Sequence, residues 1–204
     1  PPAIALLCSQ KAGWELAFES GYEGLGSGPA RALVGQETEF ERVGYYDSSE
    51  FATLAVESTA LPTEEVAEHV AALAEVDAEG VFLPAYATGS TAGSVATAAR
   101  AAELAVFRLL EVGYEPTDVL HASGAAPMAP VTRDEDLAMG RTNDTLAYGG
   151  EVHLQVARDD DRFDQIVSTA REEYGTPFVE VFEDAGWDFY EVDEAVFAPA
   201  KVTV

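Results

Sequence analysis

The chain has 204 residues and carries 37 acidic against 11 basic side chains, a formal net charge of −26. A surface that negative repels phosphate backbones and anionic bilayers, which excludes nucleic-acid binding and adsorption to acidic membranes. With 48% apolar and 10% aromatic residues there is material for a buried core, in one large domain or two small interlocked ones, so the acidity reads as the coat of a folded protein.

Ala3 to Leu7 is a short apolar run around the single cysteine, Cys8, which has no intrachain partner for a disulfide and suits a reducing, cytoplasmic compartment. The chain opens on Pro1-Pro2 without Met or a basic leader, which suggests an internal start. A mixed-polarity stretch, 10–18, leads into Gly24-Leu-Gly-Ser-Gly-Pro-Ala-Arg31, whose glycines and nearby cation suit either a plain turn or a cradle for an anion. It lacks the Gly-Lys-Ser/Thr of a phosphate-binding loop.

Residues 51–58 alternate as a strand, and Thr63-Glu-Glu65 then starts a helix over 63–75 whose apolar stripe is Val66, Val70 and Leu73. Gly80 precedes a buried strand at 81–84, completing a strand, helix, strand unit. An uninterrupted helical pattern follows over 93–112, with Val95, Ala99, Ala102, Val106 and Leu109 on its buried side, ending at Gly113.

Beyond it the pattern predicts a strand at 119–122, a proline-punctuated loop at 123–130, a strand pair or bent strand at 145–156 around Gly149-Gly150, and a helix near 164–173. Gly140-Arg-Thr-Asn-Asp144 is a turn or a site. Residues 178–184 and 187–196 combine aromatic and acidic character, and 197–204 closes as a strand candidate. Asp134-Glu135-Asp136 and Asp159-Asp160-Asp161 read as solvated loops, and with only Lys11 and Lys201 as lysines the pattern fits work in concentrated salt. No run approaches the roughly 20 apolar residues of a membrane span. Alternating strands and helices argue for an α/β, or mixed α+β, architecture.

In so acidic a chain, cations without acidic neighbours stand out, and these are Arg31, Arg100 and Arg141. Arg133, Arg158, Arg162 and Arg171 have acids close in sequence and read as exposed pairs worth about 0–1 kcal/mol. Arg100 and Glu103 share a helix face among small residues, where a guanidinium could orient a carboxylate that activates water; the same spacing fits an ordinary surface ion pair. His69, His121 and His153 lie too far apart for ligand spacing, so no metal site is expected.

Taken together, Ser9-Gln-Lys-Ala-Gly-Trp14, Gly26-Ser-Gly-Pro-Ala-Arg-Ala-Leu33, Ala67-Glu-His-Val70, Ala122-Ser-Gly-Ala-Ala-Pro-Met-Ala-Pro-Val131, Met139-Gly-Arg-Thr-Asn-Asp144, Tyr148-Gly-Gly150 and Val196-Phe-Ala-Pro-Ala200 resemble, in order and approximate spacing, the methenyltetrahydromethanopterin cyclohydrolases. The resemblance implies that 1–204 is the central and C-terminal part of a subunit whose N-terminal segment is absent. It further implies an α/β subunit of two domains flanking a pterin cleft, assembled as a homotrimer, active without metal or cofactor. The activity implied is reversible hydrolysis of a methenyl-tetrahydropterin to its N5-formyl form in archaeal one-carbon metabolism. An Arg-x-x-Glu helix segment supplies the catalytic pair in that family, which maps onto Arg100 and Glu103. The other matched blocks nominate Gln10, Lys11, Ser27, Gly28, Arg31, Ser94, Arg141, Asn143 and Asp144 as residues lining the cleft or holding the pterin tail. The alternative is a catalytically incomplete fragment that binds pterin or anions.

Overall fold

A computed structural model of the chain describes residues 1–187 and 191–204; part of the aromatic, acidic stretch at 187–196 therefore lies outside the described residues. The chain separates into two compact units, Ala3–Ala87 and Thr88–Val204, the latter grouped with Pro1–Pro2.

The apolar start is helical, with α1 (Pro2–Ala5) running into a π-helical turn at Leu6–Gln10. In the Ala3–Ala87 unit, β1 (Trp14–Ala17) and β2 (Glu23–Ser27) form an antiparallel hairpin, followed by α2 (Ala30–Val34) and α3 (Thr38–Val43). Then come β3 (Ala52–Thr53), β4 (Ala55–Glu57), α4 (Glu64–Ala74), β5 (Val81–Phe82) and β6 (Ala85–Tyr86). The sheet order is β1-β2-β4-β6, with β4 and β6 parallel, and β3 pairs in parallel with β5.

The strand, helix, strand unit read from the sequence is thus present, but each strand is split. Leu54 N–H donates to Phe82 O at 3.0 Å and Val56 N–H to Pro84 O at 2.8 Å, so the two segments run together throughout. Pro84 has no N–H to return, and the ladder breaks there. Helix α4 buries Val66, Val70 and Ala74 against Leu16, Tyr22, Leu54 and Val56, the 3.6-residue stripe meeting the inward side of the sheet. Acidic Glu64 and Glu65 occupy its first turn, where the helix dipole favours negative charge.

In the Thr88–Val204 unit, α5 (Thr91–Ala98), α6 (Ala101–Glu111), α7 (Glu135–Gly149) and α8 (Phe178–Asp184) surround a sheet of β7 (Val119–Ala125), β8 (Glu151–Val156) and β9 (Lys201–Thr203). β7 and β8 are antiparallel, β8 and β9 parallel. Both units therefore mix helices with mixed sheets, in keeping with an α/β chain.

Three expectations are corrected here. The helix expected over 93–112 breaks at Ala99–Arg100. Arg100 N–H reaches Thr97 O at 3.0 Å, an i−3 bond, while Leu104 N–H returns to Arg100 O at 2.9 Å and restarts the α ladder. Val95, read as buried, is 48% exposed. The bent strand expected at 145–156 is instead the end of α7 followed by β8, and Asp134, read as loop, caps α7 by accepting from Leu137 N–H at 3.0 Å. Gly140 and the run Thr142 to Thr145 are poor helix formers, but Gly140 lies against Val179 of α8, where an added Cβ would come within 2.8 Å of Val179 Cβ. The helix expected at 164–173 is two 3₁₀ turns, because Ser168 is tied away from it by its N–H to Pro199 O at 2.9 Å and by its hydroxyl to Ala147 O.

Among the described residues no helix is long and apolar enough to cross a membrane.

Candidate active site

Helix α6 is buried on nearly every side, from Ala101 through Phe107 and again at Leu109 and Leu110. Its first turn is where Glu103 sits, itself 0% exposed. Arg100 stands at the N-cap position in the break between α5 and α6, and its Nε donates to Glu103 Oε2 at 2.7 Å. The pair is therefore not the surface ion pair that spacing alone also allowed. Glu103 Oε1 is buried and has no hydrogen-bond partner among the described residues. An acceptor buried without a donor costs about 1–3 kcal/mol, more for a charged group, unless a ligand supplies one.

Strand β7 backs this turn. Gly124 packs so closely that a Cβ there would meet Ala102 N at 2.9 Å and Ala101 Cβ at 3.2 Å. Gly124→Ala should therefore push the start of α6 and lower stability by about 1–3 kcal/mol, a shift that a thermal melt would register; an unchanged melt would mean that the turn gives way freely. Ser94, on α5 and buried, donates its hydroxyl to Ala129 O at 2.9 Å, tying α5 to the proline-rich loop after β7.

That loop and α7 border an open groove of about 530 Å³ lined by Pro127, Pro130, Arg141, Asp144, Thr145, Tyr148 and Gly149. Burial pushes the Asp144 carboxyl above the usual carboxylate range, opposed by Phe178 N–H, which donates to Oδ1 at 2.9 Å, and by the charge of Arg171. Asn143 turns back on its own helix, Nδ2 donating to Met139 O at 3.0 Å.

Arg171 was read as an exposed ion pair and is corrected: it is 6% exposed, donates from Nη1 to Val196 O at 2.9 Å, and stands 6.0 Å from the centre of the Tyr148 ring. Its Nε and Nη2 are buried without partners among the described residues. Arg162 forms the expected local pair, with Asp160, whereas Arg158 pairs with Asp118, 40 positions away, and not with the acids beside it.

In the other unit, the remaining nominated residues converge on one knot. Gly28, at φ 147, donates its N–H to Ser9 O at 2.8 Å, and a Cβ there would come within 2.7 Å of Thr53 O. Arg31 is 1% exposed and spends its guanidinium inside the chain: Nη1 donates to Leu7 O at 2.9 Å and Ser9 O at 3.3 Å, Nε donates to Glu37 Oε1 at 3.0 Å, and Nη2 bonds Glu37 Oε2. Lys11 pairs with Glu39, and Glu37 Oε2 lies 3.9 Å from its Nζ. Burial works against ionising Glu39, but Lys11 and Arg31 outweigh it and hold its carboxyl below the ordinary value. Gln10 ends the π-helical turn and Ser27 ends β2, both half-buried beside this knot.

Cys8 is fully buried, and burial above all pushes its thiol up to about 11, with Glu39 and Glu37 adding to the effect and Arg31 opposing it. Native protein at pH 8 should leave Cys8 unlabelled by a thiol reagent that reacts at once after denaturation; fast native labelling would contradict this packing. Among the described residues no group of three or more His, Cys, Asp or Glu side chains could hold a metal ion.

The family described as Cyclohydrolase (MCH) matches the chain over residues 1–204. The chain belongs to this family. Among its relatives, methenyltetrahydromethanopterin cyclohydrolase of Halobacterium salinarum is 60% identical over 203 residues, covering 100% of this chain and 65% of that protein. The enzymes of the same name from Methanocella arvoryzae and Methanocaldococcus jannaschii are 41% and 40% identical, again over 100% of this chain and 64% and 65% of theirs. This MCH-family chain thus spans about two thirds of its relatives' length. The acidic surface accords with the most similar of these three coming from a salt-loving archaeon.

Glu37 and Glu39 had no place in the reading of the sequence, Tyr148 entered it only as part of a matched block, and Arg171 only as an exposed pair. A signal existed for the first: Arg31 lies six positions before Glu37, beyond the immediate neighbours by which its surroundings were judged uncharged.

Proposed function

We propose that the protein hydrolyses the methenyl bridge of a methenyl-tetrahydromethanopterin, or a related tetrahydropterin, to the N5-formyl form, with Arg100 and Glu103 as its catalytic pair. The observation that carries this reading is the divided state of the Glu103 carboxylate: Oε2 is bonded by Arg100, and Oε1 is buried without a donor.

The bridge carbon of the substrate is a cationic amidinium. A buried carboxylate attracts that cation and accepts a proton from the water that attacks it. Water adds to the bridge carbon and Glu103 takes one of its protons; the C–N10 bond then breaks, N10 keeps the electron pair and gains a proton, and the adduct's hydroxyl gives up its own to become the formyl oxygen. Cation and water thus become a neutral formyl compound and one released proton. Arg100 holds Glu103 in one orientation, and its positive charge offsets negative charge that develops on the attacking oxygen. Side chains alone do this acid–base work, without metal or cofactor, in a cytoplasmic homotrimer. Gln10, Lys11, Ser27, Gly28 and Arg31 of the Ala3–Ala87 unit, and Ser94, Arg141, Asn143 and Asp144 of the Thr88–Val204 unit, support substrate binding. With its guanidinium committed internally, Arg31 serves as the brace of the Ser9 to Lys11 turn.

The test is the loss of methenyl-pterin absorbance in concentrated salt with the purified chain. Hydrolysis well above the buffer rate is expected. A rate equal to buffer, with pterin still bound, would mean an incomplete binding fragment and end the reading as an enzyme.

A further inference from the structure

Arg171 is the one basic residue of the Thr88–Val204 unit that is buried among the described residues, at 6% exposed. Its main chain is tied to Ser168 O and its Nη1 donates to Val196 O at 2.9 Å, so the side chain is held at both ends. Nε and Nη2 are buried and bond nothing among the described residues. A single carbonyl dipole thus meets a full positive charge. Arg31, the other buried guanidinium, has the Glu37 carboxylate and two carbonyls. A buried ion left without its opposite charge is strongly unfavourable.

The groups around it do not supply that charge. Asp144 feels Arg171, but its Oδ1 accepts from Phe178 N–H, no bond joins the two side chains, and burial pushes the carboxyl toward its neutral form. Tyr148, its ring centre 6.0 Å away, offers only a ring face, with its hydroxyl engaged by Thr176 O and Gly175 N–H. A water molecule would satisfy the two donors but carries no charge. The unmet donors also have a shape: Nε and Nη2 share one edge of the planar guanidinium, so their N–H bonds run side by side toward one position, the fork that grips an anion.

We propose that Nε and Nη2 of Arg171 bind a small monovalent anion, chloride in salt-rich solution, as the counter-ion of this unit. Both nitrogens are shut off from solvent, which selects a compact ion over phosphate or the acidic end of a large ligand. The net charge of −26 does not oppose this, because surface repulsion is screened within about 3 Å at 1 M salt whereas the guanidinium acts at contact. Arg171 also anchors the segment that leads into α8, where Gly175 and Thr176 hold the Tyr148 hydroxyl and Phe178 holds Asp144. An ion bound there stabilises that segment, so the unit gains stability from chloride as a ligand, beyond the general effect of salt.

Thermal melts of the purified chain at one ionic strength, with potassium chloride exchanged stepwise for potassium glutamate, test this. The gain in Tm from glutamate to chloride should be about 3–6 °C larger in the parent than in Arg171→Met, the shift for chloride at roughly ten times its dissociation constant. Asp144→Asn, which keeps an oxygen for Phe178 N–H and removes a nearby negative charge, should move the chloride midpoint severalfold lower. In crystals grown with bromide, an anomalous peak should lie within hydrogen-bond reach of Arg171 Nε and Nη2. Should Arg171→Met not fold, the bromide position and the Asp144→Asn midpoint still decide. The same chloride gain in parent and Arg171→Met, or bromide only on the surface as an adventitious ion only, would overturn the assignment. A loss of stability in Asp144→Asn that is equal in both salts, with no chloride midpoint, would make Asp144 the counter-ion and overturn it as well.

Discussion

Glu103→Gln should lower kcat for methenyl hydrolysis by about 10²–10⁴-fold while leaving pterin binding within a fewfold of the parent. The side chain keeps its shape, so packing around the first turn of α6 is retained, and Gln Oε1 can still accept from Arg100 Nε. What disappears is the negative charge and the basic oxygen, which are the two properties the proposed chemistry draws upon. The residue is fully buried, so replacing it by Ala would also open a cavity and blur the reading. Gln separates chemistry from folding. A kcat equal to the parent's would remove Glu103 from the mechanism, although the chain's family membership would stand.

Arg31→Ala should destabilise the Ala3–Ala87 unit by about 3–5 kcal/mol, because it strands Leu7 O, Ser9 O and part of the Glu37 carboxylate in one step. Arg31→Lys should recover little, since one ammonium cannot span two carbonyls and a carboxylate as the guanidinium fork does. Urea unfolding followed by circular dichroism would measure both, and labelling of Cys8 under native conditions should rise in parallel because the thiol lies under the same knot. A loss below about 1 kcal/mol for Arg31→Ala would show that the knot contributes little. The same variant would then leave room for direct ligand contact by Arg31.

What the sequence revealed about the fold followed from how local the deciding forces were. The unit from β3 to β6 was legible because α4 has a clean 3.6-residue stripe, acidic residues at its start, and turn residues before β5. By contrast, the break at Ala99–Arg100 was invisible, since no glycine or proline marks it and every neighbouring residue favours a helix. Helix α7 was hidden for the opposite reason: its own residues argue against it, and packing of Gly140 on α8 overrides them. Ser168 was drawn out of a helical pattern by partners at Ala147 and Pro199, which no local window contains.

The site was legible to a similar degree. Spacing put Arg100 and Glu103 on one face, and only burial shows that the pair is enclosed within α6's packed surroundings. Neighbouring acids misdirected the reading of Arg171, and distant ones the reading of Arg31, because a long guanidinium reaches well beyond adjacent positions. That Arg141 and Asp144 line one groove depends on where α7 meets the loop after β7, a tertiary fact.

The account centres on Arg100 and Glu103 acting as one unit, and a double-mutant cycle in kcat tests that directly. With Arg100→Ala, Glu103→Gln and the double variant assayed side by side, the loss in the double variant should fall well short of the product of the two single losses, since much of Arg100's effect passes through the carboxylate it holds. Losses that simply multiply would mean that the two residues work independently, and a cycle in which neither single change slows hydrolysis would place the chemistry elsewhere.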